Sequence, residues 1–320
     1  MKLFFKLNKN SLTLIVALVF MSVIKTEAQQ YPVYSQYIFN PLVINPAVAG
    51  SHVQVSATAM YRNQWVNFDG APKTFSFSGH TSLLKNKIGV GLLVANDQIG
   101  SYNNNSVFGS YAFIIRSAMG TFSMGLQAGF NLTSADFSSL NLKDPNDPSF
   151  AAFDNKFKPN FGAGVYYSND LFFAGLSVPF ILTNSVDITD AEALANGVKE
   201  ARYYYFHGGM TLPLSRMKTV VFNPTVLLRG QEGQPLSMDL NAGFIFYDVF
   251  SVGASYRNVD AIVTYIQLKI TESLNFGYSY DWTSSDMKQY SSGSHEFSLN
   301  YRFRIRKIHG NVECPSVFKF

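Results

Sequence analysis

Apolar and polar residues alternate with a period of two along most of the chain after residue 52. Leu236, Met238 and Leu240 alternate with Ser237 and Asp239, and the same pattern recurs in one segment after another. Successive side chains of a β-strand point to opposite faces of a sheet, so this period sorts the two kinds of residue onto two faces. The pattern therefore predicts an all-β chain whose strands each have one apolar and one polar face.

The alternating segments number fourteen, an even number of the kind found in single-chain bacterial barrels. They are residues 52–62, 75–80, 88–95, 111–115, 122–131, 161–167, 171–180, 202–212, 219–229, 236–246, 250–257, 262–270, 274–282 and 297–304. If the chain starts on the periplasmic side, the connections that face outside include every long one, and those that face the periplasm are all short. Transmembrane β-barrels have this asymmetry of long outer loops and short periplasmic turns.

The polar face of these segments carries few charges. Charged residues make up 14% of the chain and aromatic residues 15%, whereas soluble domains carry roughly 25% charged residues. Serine, glycine, asparagine and glutamine dominate the polar face, which a soluble β-sandwich would cover with lysine and acidic residues. No run of apolar residues after residue 28 is long enough for a transmembrane helix. We therefore predict a transmembrane antiparallel up-and-down β-barrel of about 14 strands over residues 52–304.

Residues 1–28 have the pattern of a signal peptide. Three lysines, at positions 2, 6 and 9, precede the apolar stretch 12–24, and Thr26-Glu27-Ala28 offers a cleavage site. With Lys25 and Glu27, this segment holds a net charge of +3 out of the formal +4 of the whole chain. The basic charge therefore belongs mainly to export and gives no argument for a nucleic-acid partner. Export and an apolar strand face together predict a location in the bacterial outer membrane.

Residues 29–51 form an irregular apolar segment ahead of the first strand. Asn40-Pro41 and Asn45-Pro46 interrupt it, and proline prevents a regular helix or ladder from running through. The segment is nevertheless rich in large apolar residues, which a solvated linker would avoid. It must therefore be buried on or in the barrel, either as a plug in the lumen or as a periplasmic brace. The candidate residues for plugging or for docking a partner are Tyr34, Gln36, Tyr37, Asn40, Pro41, Asn45 and Pro46.

The stretch YSQYIFNPLVINPAVAGS at residues 34–51 resembles the opening signature of the PorP/SprF family, outer-membrane proteins of the type IX secretion system. Further pieces that match in order are residues 70–74, 96–100, 294–297 and 311–315. The resemblance implies a secretion component that supports the secretion or surface attachment of adhesin-type cargo and contributes to gliding motility. It implies contact with the C-terminal domain of the cargo, and with periplasmic or outer-membrane components of the secretion system. A passive or substrate-specific outer-membrane channel remains the alternative function.

Catalytic and metal-binding residues are not predicted. His80, His207 and His295 are the available bases, but they lie on different predicted strands without the sequence context of a nucleophile. Asp144, Asp147 and Asp154 do not follow the spacing of an EF-hand loop. We therefore expect a non-enzymatic protein with no cofactor and no metal.

The predicted barrel is followed by a C-terminal tail, residues 305–320. The last strand would end on the periplasmic side, so the tail is expected to emerge there. It begins within the basic cluster Arg302, Arg304, Arg306 and Lys307, and it holds Cys314, the single cysteine of the chain. A lone cysteine excludes an internal disulfide and is expected to be a free thiol.

Overall fold

The computed structural model describes residues 32–138, 153–184, 201–217, 219–232, 234–258 and 260–304. The strands are Val55–Asn63 (β1), Lys73–Leu83 (β2), Ile88–Ile99 (β3), Tyr102–Ser117 (β4), Gly120–Ala135 (β5), Phe153–Ser168 (β6), Phe172–Val178 (β7), Tyr203–Met210 (β8), Leu212–Pro213 (β9), Val220–Gln231 (β10), Ser237–Phe246 (β11), Phe250–Arg257 (β12), Ala261–Lys269 (β13), Leu274–Thr283 (β14) and Ser294–Phe303 (β15). Both β8 and β9 pair with β10, so together they form one spanning strand of the barrel, which is interrupted at Thr211. The barrel therefore has fourteen spanning strands, and each overlaps one of the fourteen predicted segments.

The sheet closes on itself through its first and last strands. The β1–β15 pairing is antiparallel and continuous from Val55 opposite Phe303 to Asn63 opposite His295. All other pairings join neighbours in the chain, which makes the topology up-and-down. In hydrocarbon an open strand edge would leave backbone groups without partners, so closure is what allows a sheet to span a membrane. The predicted transmembrane β-barrel is confirmed.

The burial of side chains in this barrel is the reverse of that in a soluble protein. Along β1, Ser56 and Thr58 are buried in the lumen, whereas Tyr61 is 43% exposed on the outer surface. Most large apolar residues of the other strands are likewise outside and most small polar residues inside, although Phe108, Tyr166 and Tyr203 are buried in the lumen. Because only lipid makes such an outer surface favourable, the face assignment read from the sequence is confirmed.

The connections at the two ends of the barrel differ in length. One end, called here the turn end, has only short connections, at 84–87, 118–119, 169–171, 214–219, 247–249 and 270–273. The opposite end, called here the loop end, has the long ones, including 64–72 and 284–293. Between the predicted segments 88–95 and 111–115 there is no long loop, because β3 and β4 continue to a tight turn at Gly100-Ser101. Lateral hydrogen bonds from Asn96 Nδ2 to the amide oxygens of Asn103 and Asn105 support this extension.

Helical structure in the described residues is limited to single 3-10 turns. Two of them, Pro41–Val43 and Pro46–Val48, begin at the prolines of the two Asn-Pro pairs, where a fixed φ and a missing N–H suit a helix start. A third, Asp286–Gln289, lies in the loop after β14. Among the described residues no helix has the length and apolar character needed to cross a membrane. The predicted signal peptide and the predicted C-terminal tail lie outside the described residues.

Candidate functional site

The N-terminal segment, residues 32–51, runs through the lumen from the loop end to the turn end. Near its start, the backbone N–H of Ser35 donates to Glu296 Oε2 at 2.9 Å, close to the loop end of β15. Near its finish, the backbone N–H of Gly50 donates to His80 Nδ1 at 3.2 Å, close to the turn end of β2. The segment therefore lies within the barrel, where a plug would lie.

An ionic cluster surrounds Ser35 in the half of the lumen nearest the loop end. The cluster consists of Arg62, Asp239, Arg257, Asp281 and Glu296, which come from five different strands. The Ser35 hydroxyl donates to Asp281 Oδ2 at 2.7 Å and accepts from Arg62 Nη1 at 3.0 Å. One small side chain of the segment thus completes a hydrogen-bond network between distant strands.

The charges of the ionic cluster are paired with one another. Arg62 contacts Asp281 at 2.7 Å and Glu296 at 3.0 Å, and Arg257 contacts Asp239 at 3.0 Å and Asp281 at 3.5 Å. All five side chains are at most 4% exposed. Buried charges persist only when they are paired and hydrogen-bonded, so this cluster fixes the relative positions of its strands and of the segment.

Gln36 anchors the segment to β14 and β15. Its Nε2 donates to the backbone oxygen of Glu296 at 2.8 Å, and its Oε1 accepts from Ser298 Oγ at 2.6 Å. The amide lies over Gly277, where any Cβ atom would collide with it. A side chain at this point of the wall would therefore push the Gln36 amide away from its partners on β15.

Asn40 and Asn45 each anchor one of the Asn-Pro turns to the barrel wall. Asn40 donates to Met60 Sδ at 3.3 Å and accepts from Ser78 Oγ at 3.0 Å. Asn45 accepts from the backbone N–H of Ala47 at 2.9 Å, as an N-cap does, and donates to the Val165 backbone oxygen at 3.0 Å. These two residues explain how an irregular segment satisfies its polar groups without a regular ladder.

The aromatic residues of the segment fill the middle of the lumen. Tyr37 belongs to a buried apolar cluster, and the ring of Phe39 meets Tyr265 edge-on at 5.4 Å between centroids. Burial raises the pKa of the Tyr34 and Tyr37 phenols well above the usual value for tyrosine. Both phenols therefore stay neutral at physiological pH, and their packing does not depend on a titration.

The structure brings all seven candidate residues together in the lumen. Gln36, Tyr37, Asn40, Asn45 and Pro46 are buried, and Tyr34 and Pro41 are half-buried. Each contacts the wall or another part of the segment, so these side chains do not form a surface at either end of the barrel. Docking of a partner on them would require the segment to leave its place.

The ionic cluster was missed from the sequence. Its five members were assigned only to the polar face or to the resemblance, and no role was predicted for them. One signal was available: they are charged residues on a face that carries few other charges, and all fall near the same end of their predicted strands. That coincidence predicts a common layer of the lumen.

The three candidate bases have separate structural surroundings. His80 accepts from Gly50 and stacks on His52 at 5.3 Å, while His207 stacks on Tyr166 at 5.5 Å. His295 shares a hydrogen bond of 2.8 Å with the Tyr278 hydroxyl. No group of three or more histidine, cysteine or acidic side chains within the described part of the chain has the arrangement of a metal site.

Comparison with known proteins gives one family and several barrels of similar shape. A model of the family described as "Type IX secretion system membrane protein PorP/SprF" matches residues 26–301. No curated protein matches the chain. The CymD monoaromatic hydrocarbon channel is 11% identical with a TM-score of 0.48, and the match covers 86% of this chain and 94% of that one. The Acinetobacter baumannii outer membrane protein Omp33 is 11% identical with a TM-score of 0.45, over 80% and 100% of the two chains.

Proposed function

Because this chain belongs to the PorP/SprF family of type IX secretion system membrane proteins, we propose that it supports the secretion or surface attachment of adhesin-type cargo. It is a component of that system in the bacterial outer membrane. Its apolar outer face contacts lipid, and its turn end faces the periplasm, as in other barrels with short turns on that side.

The occupied lumen is the observation that carries the proposal. A barrel of fourteen strands is wide enough to enclose a channel. Here the N-terminal segment occupies the lumen between the ionic cluster at one end and Gly50 at the other. A polypeptide has no free path while the segment is in place, which favours a barrel that holds or presents cargo over one that conducts it.

The two ends of the barrel suit two kinds of partner. We propose that the loop end contacts the C-terminal domain of the cargo and that the turn end contacts periplasmic components of the secretion system. In a bacterium that glides, the attached cargo would include the motility adhesins. The proposed role is non-enzymatic, and it is supported by the separation of the three histidines onto different strands.

Deletion of the gene tests the proposal directly. We expect adhesin-type proteins to disappear from the cell surface and medium and to accumulate in the periplasm, as measured by mass spectrometry of the separated fractions. Complementation with the intact gene should restore them. An unchanged set of secreted and surface proteins would contradict the proposal and leave the alternative, a passive or substrate-specific channel.

A further inference from the structure

A cavity of about 50 Å³ lies in the half of the lumen nearest the turn end. Basic residues from three strands and from the end of the N-terminal segment line it: His52, His80, Arg116 and Arg302. No acidic residue in the described part of the chain lines this cavity. The ionic cluster at the loop end is different, because each of its arginines contacts two carboxylates within 3.5 Å. The cavity, called here the basic cavity, is therefore a place where positive charge gathers inside the barrel.

Three residues that line the basic cavity form one row across the closure of the barrel. Ser56 on β1 lies opposite Arg302 on β15 and opposite His80 on β2. Neighbouring strands are about 4.8 Å apart, so a guanidinium, a hydroxyl and an imidazole follow one another along about 10 Å of wall. A small ligand in the cavity can contact all three side chains at once.

The hydroxyl groups beside this row are arranged to donate. Arg302 Nε donates to Asn300 Oδ1 at 3.1 Å, and Asn300 Nδ2 donates to Ser56 Oγ at 2.9 Å and to Thr58 Oγ1 at 2.8 Å. A hydroxyl that accepts from an amide keeps its own hydrogen, so both hydroxyls have a hydrogen to donate to a ligand. The lining therefore favours a ligand that accepts hydrogen bonds.

His80 presents a donor to the basic cavity as well. Its Nδ1 accepts from the backbone N–H of Gly50 at 3.2 Å, so the hydrogen of the neutral ring is on Nε2. His52 stacks on His80 with 5.3 Å between the ring centroids. Burial, and after it the positive charge of Arg302, holds the pKa of the His52 imidazole well below its usual range. A site that disfavours a further proton in this way favours an anion.

The carboxylate that acts on Arg302 belongs to another ion pair. Asp248 attracts Arg302, but it lies in the turn between β11 and β12 and its side chain is 54% exposed. It pairs with Lys269 at 3.6 Å. A charge that is taken out of water is costly unless an opposite charge is close to it. An anion inside the cavity would supply that charge to Arg302 and Arg116.

We propose that the basic cavity binds a tetrahedral oxyanion of the phosphate class, which enters from the periplasm. The guanidinium of Arg302, the hydroxyl of Ser56 and Nε2 of His80 donate to its oxygens, and hydrogen bonds between ionised groups are the stronger kind. The volume holds about four water molecules at roughly 10–15 Å³ each, which suits one such ion. His52, His80 and Arg302 are half-buried, so the ion reaches them from the turn end.

The bound ion fastens the end of the N-terminal segment to the wall. His80 both donates to the ion and accepts from Gly50, which belongs to the segment. Arg302 and Ser56 hold the same ion from β15 and β1. This binding does not depend on the role of the protein in secretion.

Isothermal titration calorimetry with inorganic phosphate tests the proposal on the full chain in detergent, in a chloride buffer of constant ionic strength. We expect saturable binding at one site, which Arg302→Gln weakens at least about tenfold because it removes a charge-assisted donor. Arg229→Gln is the matched control. Arg229 is also a half-buried arginine of the lumen, but it lies near the loop end, where its Nη2 donates to Ser237 Oγ at 3.4 Å. Absence of saturable binding to the unaltered protein, or equal weakening by both variants, would overturn the proposal.

Glycerophosphoethanolamine, a lipid head group without its acyl chains, is titrated in parallel to find the source of the phosphate. We expect it to bind more weakly than inorganic phosphate, because its phosphodiester has fewer free oxygens and a smaller charge. Tighter binding of this probe, with the same loss in Arg302→Gln, would support the site with a lipid head group as its ligand.

Hydrogen–deuterium exchange of the unaltered protein decides the matter if Arg302→Gln fails to fold. We expect saturating phosphate to slow exchange at the backbone N–H of Gly50 at least about threefold, because the ion holds the acceptor His80 in place. The backbone N–H of Ser35, which donates to Glu296 at the loop end, should exchange at the same rate with and without phosphate. An unchanged rate at Gly50, or equal slowing at both residues, would overturn the proposal.

Discussion

At the scale of the residue, the ionic cluster links the N-terminal segment to the barrel. Arg62 binds carboxylates of β14 and β15, while the Ser35 hydroxyl bridges Arg62 and Asp281. A buried ion pair adds little net stability over apolar residues of the same volume, but removing one partner leaves an uncompensated charge. The cluster therefore acts as a constraint on position, and its loss should be costly.

Glu296→Gln removes one charge from this cluster. Glu296 accepts from the backbone N–H groups of Ser35 and Gln36 and from Arg62, and a glutamine amide would place an NH2 donor where one of these two accepting oxygens lies. Arg62 keeps Asp281 and Arg257 keeps Asp239, so the cost comes from buried donors that lose their acceptor, and we expect a loss of about 1–3 kcal/mol in the free energy of unfolding. The measurement is the temperature or denaturant concentration at which the compact, unboiled band on a gel is lost.

Glu232→Gln is the matched control for that change. Glu232 pairs with Arg202 at 3.3 Å at the rim, and its side chain is 52% exposed. Exposed pairs of this kind contribute little, so no measurable shift is expected. Equal shifts for the two variants would mean that the buried cluster does not hold the segment.

Gly125→Ala tests the close approach of the segment to β5. A Cβ atom at Gly125 would collide with the backbone of Pro46 and Ala47. We expect a cost of about 1–3 kcal/mol, typical of overpacking, together with a displaced segment that a protease can cut. Gly109→Ala on β4 is the control, because its Cβ would meet only Ala128 O at 3.9 Å. If the two variants resist unfolding and proteolysis equally, the segment does not press on β5 as described.

At the scale of the element, the strands were the best predicted part of the molecule. The alternation of apolar and polar residues located every spanning strand, because lipid outside favours apolar side chains and the lumen inside favours mostly polar ones. The predicted strand bounds were wrong where this contrast between lipid and lumen ends. Asn103, Asn104 and Asn105 extend β4 beyond its apolar stretch through polar pairing, and the break at Thr211 leaves no mark in the alternation.

A positive charge introduced on the outer face tests whether the strands face lipid. Leu126 lies on the outward face of β5, in the apolar belt, and is 63% exposed. We expect Leu126→Arg to cost about 2–4 kcal/mol, as for a cation near the middle of the bilayer. Leu236→Arg, at a residue of similar exposure beside the start of β11 at the loop end, should cost about 0–1 kcal/mol. Unfolding in lipid vesicles measures both, and an equal small cost would contradict the membrane assignment.

At the scale of the whole molecule, closure creates the features that the sequence did not reveal. The N-terminal segment could be predicted as irregular and buried, because its prolines and its apolar residues make conflicting demands. Its place inside the lumen could not be predicted, since the same residues would also suit a brace. The ionic cluster joins Arg62 to Glu296, far apart in the chain, and these side chains meet only after β15 pairs with β1.

The N-terminal segment blocks the lumen of the barrel, so the intact protein does not act as a wide pore. Single-channel recording in planar bilayers tests it, with the intact protein compared with a variant that lacks residues 32–51 and still shows heat-dependent gel mobility. We expect no large conductance steps from the intact protein and large, stable steps from the variant. Large, stable steps from the intact protein would contradict it.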